Sequence, residues 1–272
     1  MSGTSGHESP GSGVPTSGAP GGEVSAGEVS GHVLEVDITG RTFHAADGTS
    51  LHAVGRLRFA LAPNSFTCIV GPSGCGKTTT LRMIIGLDRE FDGRVSLAGE
   101  GPLAAVFQEP RLLPWRTVEQ NVRLVLPKAR RDAPLDTLFE ALGLGELRAF
   151  YPAELSLGLA RRAALARAFA LEPSLIVLDE PFVSLDEPTA ERLRELLLAL
   201  WRARPTTALM VTHNAREAAL LADRILVFGE RPTRVIDTIE LPLPRERRGE
   251  EEIAAVLARL RARGDEVAAE GS

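Results

Sequence analysis

Gly71-Pro72-Ser73-Gly74-Cys75-Gly76-Lys77-Thr78 follows the apolar run Phe66-Thr67-Cys68-Ile69-Val70 and precedes a helical pattern from Thr79 to Ile85. The octapeptide reads G-x-x-x-x-G-K-T, a phosphate-binding loop, and strand–loop–helix is the setting such a loop needs. Its glycines let successive backbone N–H groups turn inward around phosphate oxygens, and the helix that follows adds the positive end of its dipole. Lys77 can reach β- and γ-phosphates, and the Thr78 hydroxyl can ligate Mg²⁺. Gly71 to Thr78, with Thr79, are therefore the expected binding residues for a nucleoside triphosphate. The chain has 31 basic residues, of which only Lys77 and Lys128 are lysines. A compact ammonium stands at the one place where a phosphate cradle wants it.

The 272 residues, 44% hydrophobic with a mean hydropathy of +0.01, suit a globular chain. No run of 18 apolar residues predicts a membrane span, and no basic-then-apolar leader is visible. Cys68 and Cys75 are the two cysteines, one in the apolar strand and one in the loop, a pattern that points to packing and not to a metal or disulfide. A net charge of −5 argues against a nucleic-acid partner.

Residues 1–31 are rich in Gly, Ser, Pro and Thr and nearly empty of large apolar side chains, so a disordered tail is expected there. The fold should begin at the alternating Val33-Leu34-Glu35-Val36. Further strands are predicted over 104–108, 175–179, 208–212 and 225–228, and helices over 156–171 and 187–202. The stretch 133–150, with Leu135, Leu138, Leu142 and Leu144, reads as helical. A last amphipathic helix is expected from Glu250 to Arg263, ended by Gly264. The fold class is thus α/β: a phosphate-loop NTPase core of mixed sheet and flanking helices, an N-terminal antiparallel β part and a helical subdomain at about 110–160. The binding domain spans 32–241, followed by a tail over 242–272.

Other candidate residues sit at predicted strand ends, where open α/β sheets bind ligands. Asp179 and Glu180 close the apolar strand from Leu175; Asp179 can orient a Mg²⁺ shell and Glu180 can accept a proton from attacking water. Gln108 can bind the metal or position water, and His213 can hydrogen-bond a γ-phosphate.

Taken in order, Gly71–Thr78, Gln108, Leu155-Ser156-Leu157-Gly158, Leu178-Asp179-Glu180-Pro181, Ser184-Leu185-Asp186 and His213 resemble the ATP-binding subunit of an ABC transporter over roughly residues 33–240. That resemblance implies a head-to-tail pair of chains with two ATP molecules between them. Ser156 and Gly158 would contact the γ-phosphate held by the other copy. Asp186 would lie in the loop linking the two sites, and Phe43, or alternatively His44, would stack on adenine. Phe107-Gln108-Glu109-Pro110-Arg111-Leu112-Leu113-Pro114-Trp115-Arg116-Thr117-Val118 is similar to nitrate, sulfonate and taurine importers. It implies a groove, floored by Leu113, Pro114 and Trp115, that receives a helix of a membrane permease.

The implied function is an ATPase powering import of a small solute, peripheral on the cytoplasmic face of the membrane, with permease subunits and a separate solute-binding protein as partners. A soluble ABC ATPase and a non-hydrolysing regulatory subunit are the alternatives. One departure stands out: family members usually carry L-S-G-G-Q where this chain has Leu155-Ser156-Leu157-Gly158-Leu159. A lost hydrogen bond to a charged acceptor costs about 1.5–3 kcal/mol. Weaker dimer closure and low basal hydrolysis, relieved by the permease, are expected.

Overall fold

The computed structural model describes residues 22–26, 31–98 and 101–270. A smaller sheet combines β1 (Glu23–Ala26), β2 (Leu34–His44), β3 (Ser50–Val54), β4 (Leu57–Leu61) and β6 (Asp92–Leu97) in the order β1-β6-β2-β3, with β4 also on β2. Its pairings are antiparallel except β1 on β6. The larger sheet contains β5 (Phe66–Val70), β7 (Leu103–Val106), β8 (Leu175–Asp179), β9 (Thr207–Thr212), β10 (Arg224–Phe228) and β11 (Val235–Glu240), in the order β11-β10-β5-β9-β8-β7. Only β11 runs antiparallel to its neighbour.

Every residue of β5, β8 and β9 is buried, which is why these strands read as unbroken apolar runs: both faces of the sheet are covered. Phe66, Leu178 and Met210 pack on one side, against α4 (Leu157–Ala170) and α5 (Glu187–Ala203). Ile69, Val177 and Leu209 pack on the other, against α1 (Lys77–Ile84) and the smaller sheet's Leu34, Val36 and Ile38. The helical subdomain holds α2 (Val118–Arg123) and α3 (Asp136–Ala141), whose Phe139 is fully buried. Helix α6 (Ala215–Leu221) packs beside β5 and is covered by α7 (Glu250–Glu270) through Ile253 and Leu260.

Three expectations change. The tail predicted to lack structure over 1–31 supplies β1, whose Val24 packs against the smaller sheet's core. The rest of that prediction, over 1–21 and 27–30, lies outside the described residues. Helix α1 starts at Lys77 and not Thr79, because Gly76 at φ 114° already serves as its N-cap. Gly264 does not stop α7, which continues to Glu270. The following Asp265-Glu266-Val267-Ala268-Ala269-Glu270 favours helix on balance, and one interior Gly costs only about 1 kcal/mol.

Candidate functional site

The phosphate loop is held by close backbone approaches. A Cβ on Gly71 would stand 2.8 Å from the Phe228 carbonyl, and one on Gly76 would stand 2.4 Å from the Thr233 hydroxyl. Only glycine fits either place. Lys77 is 5% exposed, and its Nζ donates to the carbonyls of Gly71 at 2.8 Å and Pro72 at 2.7 Å, so the ammonium lies inside the loop. Cys75 is buried, and burial pushes its thiol up, as suits a small packing residue. Two residues that sequence reasoning missed brace the loop from behind. Arg231 Nε donates to the Gly74 carbonyl, and the buried Thr233 hydroxyl reaches the carbonyls of Cys75 and, at 3.0 Å, Ala53.

Thr78, Gln108 and Asp179 come from three elements and line one cavity of about 260 Å³ with Arg82. Thr78 Oγ1 donates to Asp179 Oδ1 at 3.4 Å. Burial, then the neighbouring Glu180 charge, holds the Asp179 carboxyl above its ordinary value, and the Thr78 hydroxyl pulls it back. Among the described residues no three His, Cys, Asp or Glu side chains cluster to hold a metal. A cation held here would take the hydroxyl, amide and carboxylate oxygens of Thr78, Gln108 and Asp179, a hard-oxygen set that fits Mg²⁺ and not zinc.

Glu180 adopts a left-handed φ of 46°, rare for a side chain of its kind, while its N–H donates to the Val211 carbonyl at 2.9 Å. That turn aims the carboxylate across the sheet edge. Its Oε2 lies 3.1 Å from Nδ1 of His213 at the end of β9. Behind the pair, Arg161 of α4, 4% exposed, donates to the carbonyls of Pro181 at 2.9 Å and Gln108 at 3.4 Å. One guanidinium thus ties the loops after β7 and β8 together. Helix α4 also carries Arg162 and Arg167 among its alanines, so the sequence alone does not single Arg161 out.

Ser156, Gly158 and Asp186 form a second cluster at the N-termini of α4 and α5. Ser156 caps α4, its Oγ accepting from Leu159 N at 3.3 Å. Asp186 caps α5, accepting from Thr189 N at 3.0 Å, and that bonding to Thr189 lowers its pKa. Gly158 is backed against α5: a Cβ there would meet Thr189 Cγ2 at 2.8 Å. Leu157 is 43% exposed, whereas Leu159 packs against the core.

Phe43 is 38% exposed and lines a surface depression with Thr79 and Arg82. The Arg41 guanidinium lies 4.1 Å over its ring. His44 is exposed and bonded to the Ser50 hydroxyl at 2.8 Å. After Gln108, the loop carrying Leu113, Pro114 and Trp115 is organised by Asn121, also missed in the sequence; it is fully buried and bonded to the backbone of Leu113, Arg116 and Thr117. Trp115 stands 69% exposed at the tip.

Comparison with known proteins agrees with this arrangement. The ABC transporter family model matches residues 54–183. The aliphatic sulfonates import ATP-binding protein SsuB 2 of Burkholderia lata is 43% identical over 209 residues, covering 74% of this chain and 76% of that protein. SsuB of Bacillus subtilis is 38% identical over 213 residues, covering 74% and 83%. Among solved structures, a dimeric post-hydrolysis state of the ATP-binding cassette MJ0796 bound to ADP and Pi superposes with a TM-score of 0.67 at 25% identity, over 78% of this chain and all of that one. With the phosphate loop, the strand-end carboxylates and the histidine all at one sheet edge, the chain belongs to the ATP-binding subunits of ABC transporters.

Proposed function

We propose that this ATPase powers import of a small sulfonate-type organic anion, with nitrate and taurine as related alternatives, from the cytoplasmic face of the membrane. The relatives named for aliphatic sulfonate import support the solute class. Among the described residues no helix is long and apolar enough to cross a membrane, and the likeness to import ATP-binding proteins supports permease subunits as the path. Trp115 and its loop form the permease contact, and a separate binding protein delivers the solute.

The observation that carries the chemistry is the convergence of Thr78, Gln108 and Asp179 on one cavity beside the Glu180–His213 pair. In our reading the backbone N–H groups of Gly71 and of 73–79, with the Lys77 ammonium, hold the triphosphate, and Phe43 stacks on adenine. Thr78, Asp179 and Gln108 would hold Mg²⁺, which when bound neutralises charge on the β- and γ-phosphates. Glu180 orients water against the γ-phosphorus and takes its proton at Oε, while His213 hydrogen-bonds the γ-phosphate. The second cluster, Ser156 and Gly158, completes the site of another copy, and Asp186 links the two sites. Glu180→Gln keeps the shape and removes the base. Mg-ATP binding should persist while turnover falls by about 10²-fold or more; near-normal hydrolysis removes Glu180 from this role.

A further inference from the structure

His213 stands in the two-residue connection between β9 and α6, its side chain 49% exposed. What fixes it lies on either side. Glu217, in the first turn of α6, is 7% exposed, and the roles above leave it without a task. Its Oε2 accepts from the Thr212 hydroxyl at 2.6 Å, and its Oε1 accepts from Asn214 Nδ2 at 3.2 Å. The same Thr212 hydroxyl accepts from Asn214 N at 3.0 Å. Asn214 Oδ1 in turn caps α6, accepting from Arg216 N at 3.0 Å and Glu217 N at 3.4 Å. Both chain neighbours of His213 are thus tied to one carboxylate.

This is not ordinary capping. A glutamate three residues after an N-cap usually turns back to the N-cap N–H at the surface. Here Thr212 already occupies that N–H, and the carboxylate is turned inward, where burial pushes its pKa up. A carboxylate accepts from both donors at once; an amide keeps one acceptor oxygen and holds Thr212 only if that hydroxyl turns to accept instead of donate. The far end of α6 is equally fixed. Arg248 Nη1 donates to the carbonyls of Ala219 at 3.0 Å and Ala222 at 2.7 Å, and at the near end Arg216 forks onto Glu250 at 2.6 and 3.0 Å. The helix is a fixed platform, and Glu217 is the point where that platform grips the histidine loop.

We propose that Glu217 is a positioning residue for hydrolysis: by holding Thr212 and Asn214 it sets the His213 imidazole against Glu180. The proposal rests on the role given to His213 above. The test uses the purified full-length chain as wild type, Glu217→Ala, Glu217→Gln, His213→Ala and the Glu217→Ala/His213→Ala pair. Glu217→Ala should lower kcat about tenfold and leave the KM for ATP within about twofold, with Glu217→Gln in between. In the His213→Ala background the same change should cost less than about twofold, because its path to the chemistry is gone. The His213 Cε1–H resonance, identified by its loss in His213→Ala, should shift in both Glu217 variants. An unmoved resonance in folded Glu217→Gln overturns the proposal, as does an equal loss of kcat in both backgrounds. Full turnover in His213→Ala overturns the histidine's role instead, and the resonance still reports whether Glu217 holds its loop.

Discussion

Asn121 is the side chain whose replacement should separate permease coupling from ATP binding. It is fully buried; Oδ1 accepts from Leu113 N at 2.7 Å, and Nδ2 donates to the carbonyls of Leu113, Arg116 and Thr117 at 3.2, 3.0 and 3.0 Å. The Thr117 carbonyl keeps its bond from Asn121 N after substitution. The Leu113 carbonyl likewise keeps its bond from Arg116 N, so Asn121→Ala strands chiefly the Leu113 N–H and the Arg116 carbonyl, beside a loop tip that water can reach. At about 1–3 kcal/mol per stranded group, with the low end favoured by nearby water, the loss is about 2–4 kcal/mol. That corresponds to a Tm drop of about 4–16 °C in a chain of this size. Asn121→Asp keeps the acceptor and aims lone pairs at three carbonyls, so the folded state needs the acid protonated. Its folded pKa then lies above its unfolded value of about 3.9. Its stability should be nearest wild type below that value and should fall as pH rises through the folded pKa, whereas the deficit of Asn121→Ala stays flat. Calorimetry against pH and hydrogen exchange at the Leu113 amide read both effects. Capture of permease-containing membranes should weaken in both variants while Mg-ATP affinity holds. Unchanged Leu113 exchange, with Tm within about 1 °C in Asn121→Ala, would refute the reasoning.

Asp179 predicts a second pH effect: its carboxyl is held above 3.8 by burial, so its contribution to apo stability is greatest in acid and is lost as pH rises through the raised value. With Asp179 as the proposed Mg²⁺ ligand, Mg-ATP affinity should fall as pH drops through that value, and the part of the fall absent from Asp179→Asn in parallel titrations belongs to this group. Thr233→Val removes the hydroxyl behind the phosphate loop, a loss of about 1 kcal/mol, or about fivefold in ADP affinity by calorimetry. Thr233→Ser should restore it, and equal affinities in all three proteins would contradict the bracing role. ATP hydrolysis by the isolated chain should be slower than in membranes with its permease; equal rates would contradict the low basal activity expected from Leu157 and Leu159.

The parts of the fold legible in the sequence are those where burial is complete on both faces. β5, β8 and β9 are apolar throughout, α5 repeats leucines at helical spacing, and the site residues end these strands. The smaller sheet was harder to read. β6 opens on Asp92-Gly93-Arg94, three of the five residues of β3 are exposed, and β1 sits in a Gly/Ser-rich tail. These strands are specified by pairing with distant partners and not by their own composition. Three of the missed site residues share one cause. Arg161, Asn121 and Thr233 are buried polar groups whose partners are backbone groups, chiefly carbonyls, and for Arg161 and Thr233 those carbonyls lie 20 to 180 residues away. Backbone oxygens carry no sequence signal, so side chains that serve them look like ordinary surface residues until the chain is folded.

The departure at the signature segment is clarified by where its two leucines go. The Ser156 hydroxyl receives the backbone N–H of residue 159, so the cap is indifferent to the side chain there. Leu159 turns its side chain toward the core, and Gly158 remains pressed against Thr189, so α4 keeps its N-terminus in place. Leu157 alone projects, 43% exposed, beside Ser156. Neither substitution touches Lys77, Thr78 or Asp179. The cost of the departure must therefore fall on the encounter between two copies, where an amide donor is missing and an apolar side chain stands in the way. First binding of ATP to the phosphate loop should be unaffected. At about 1.5–3 kcal/mol for a lost charge-assisted hydrogen bond, closure alone is weakened by about one to two powers of ten. In the proposed assembly, contacts from the permease through the Trp115 loop would be the interactions available to restore it.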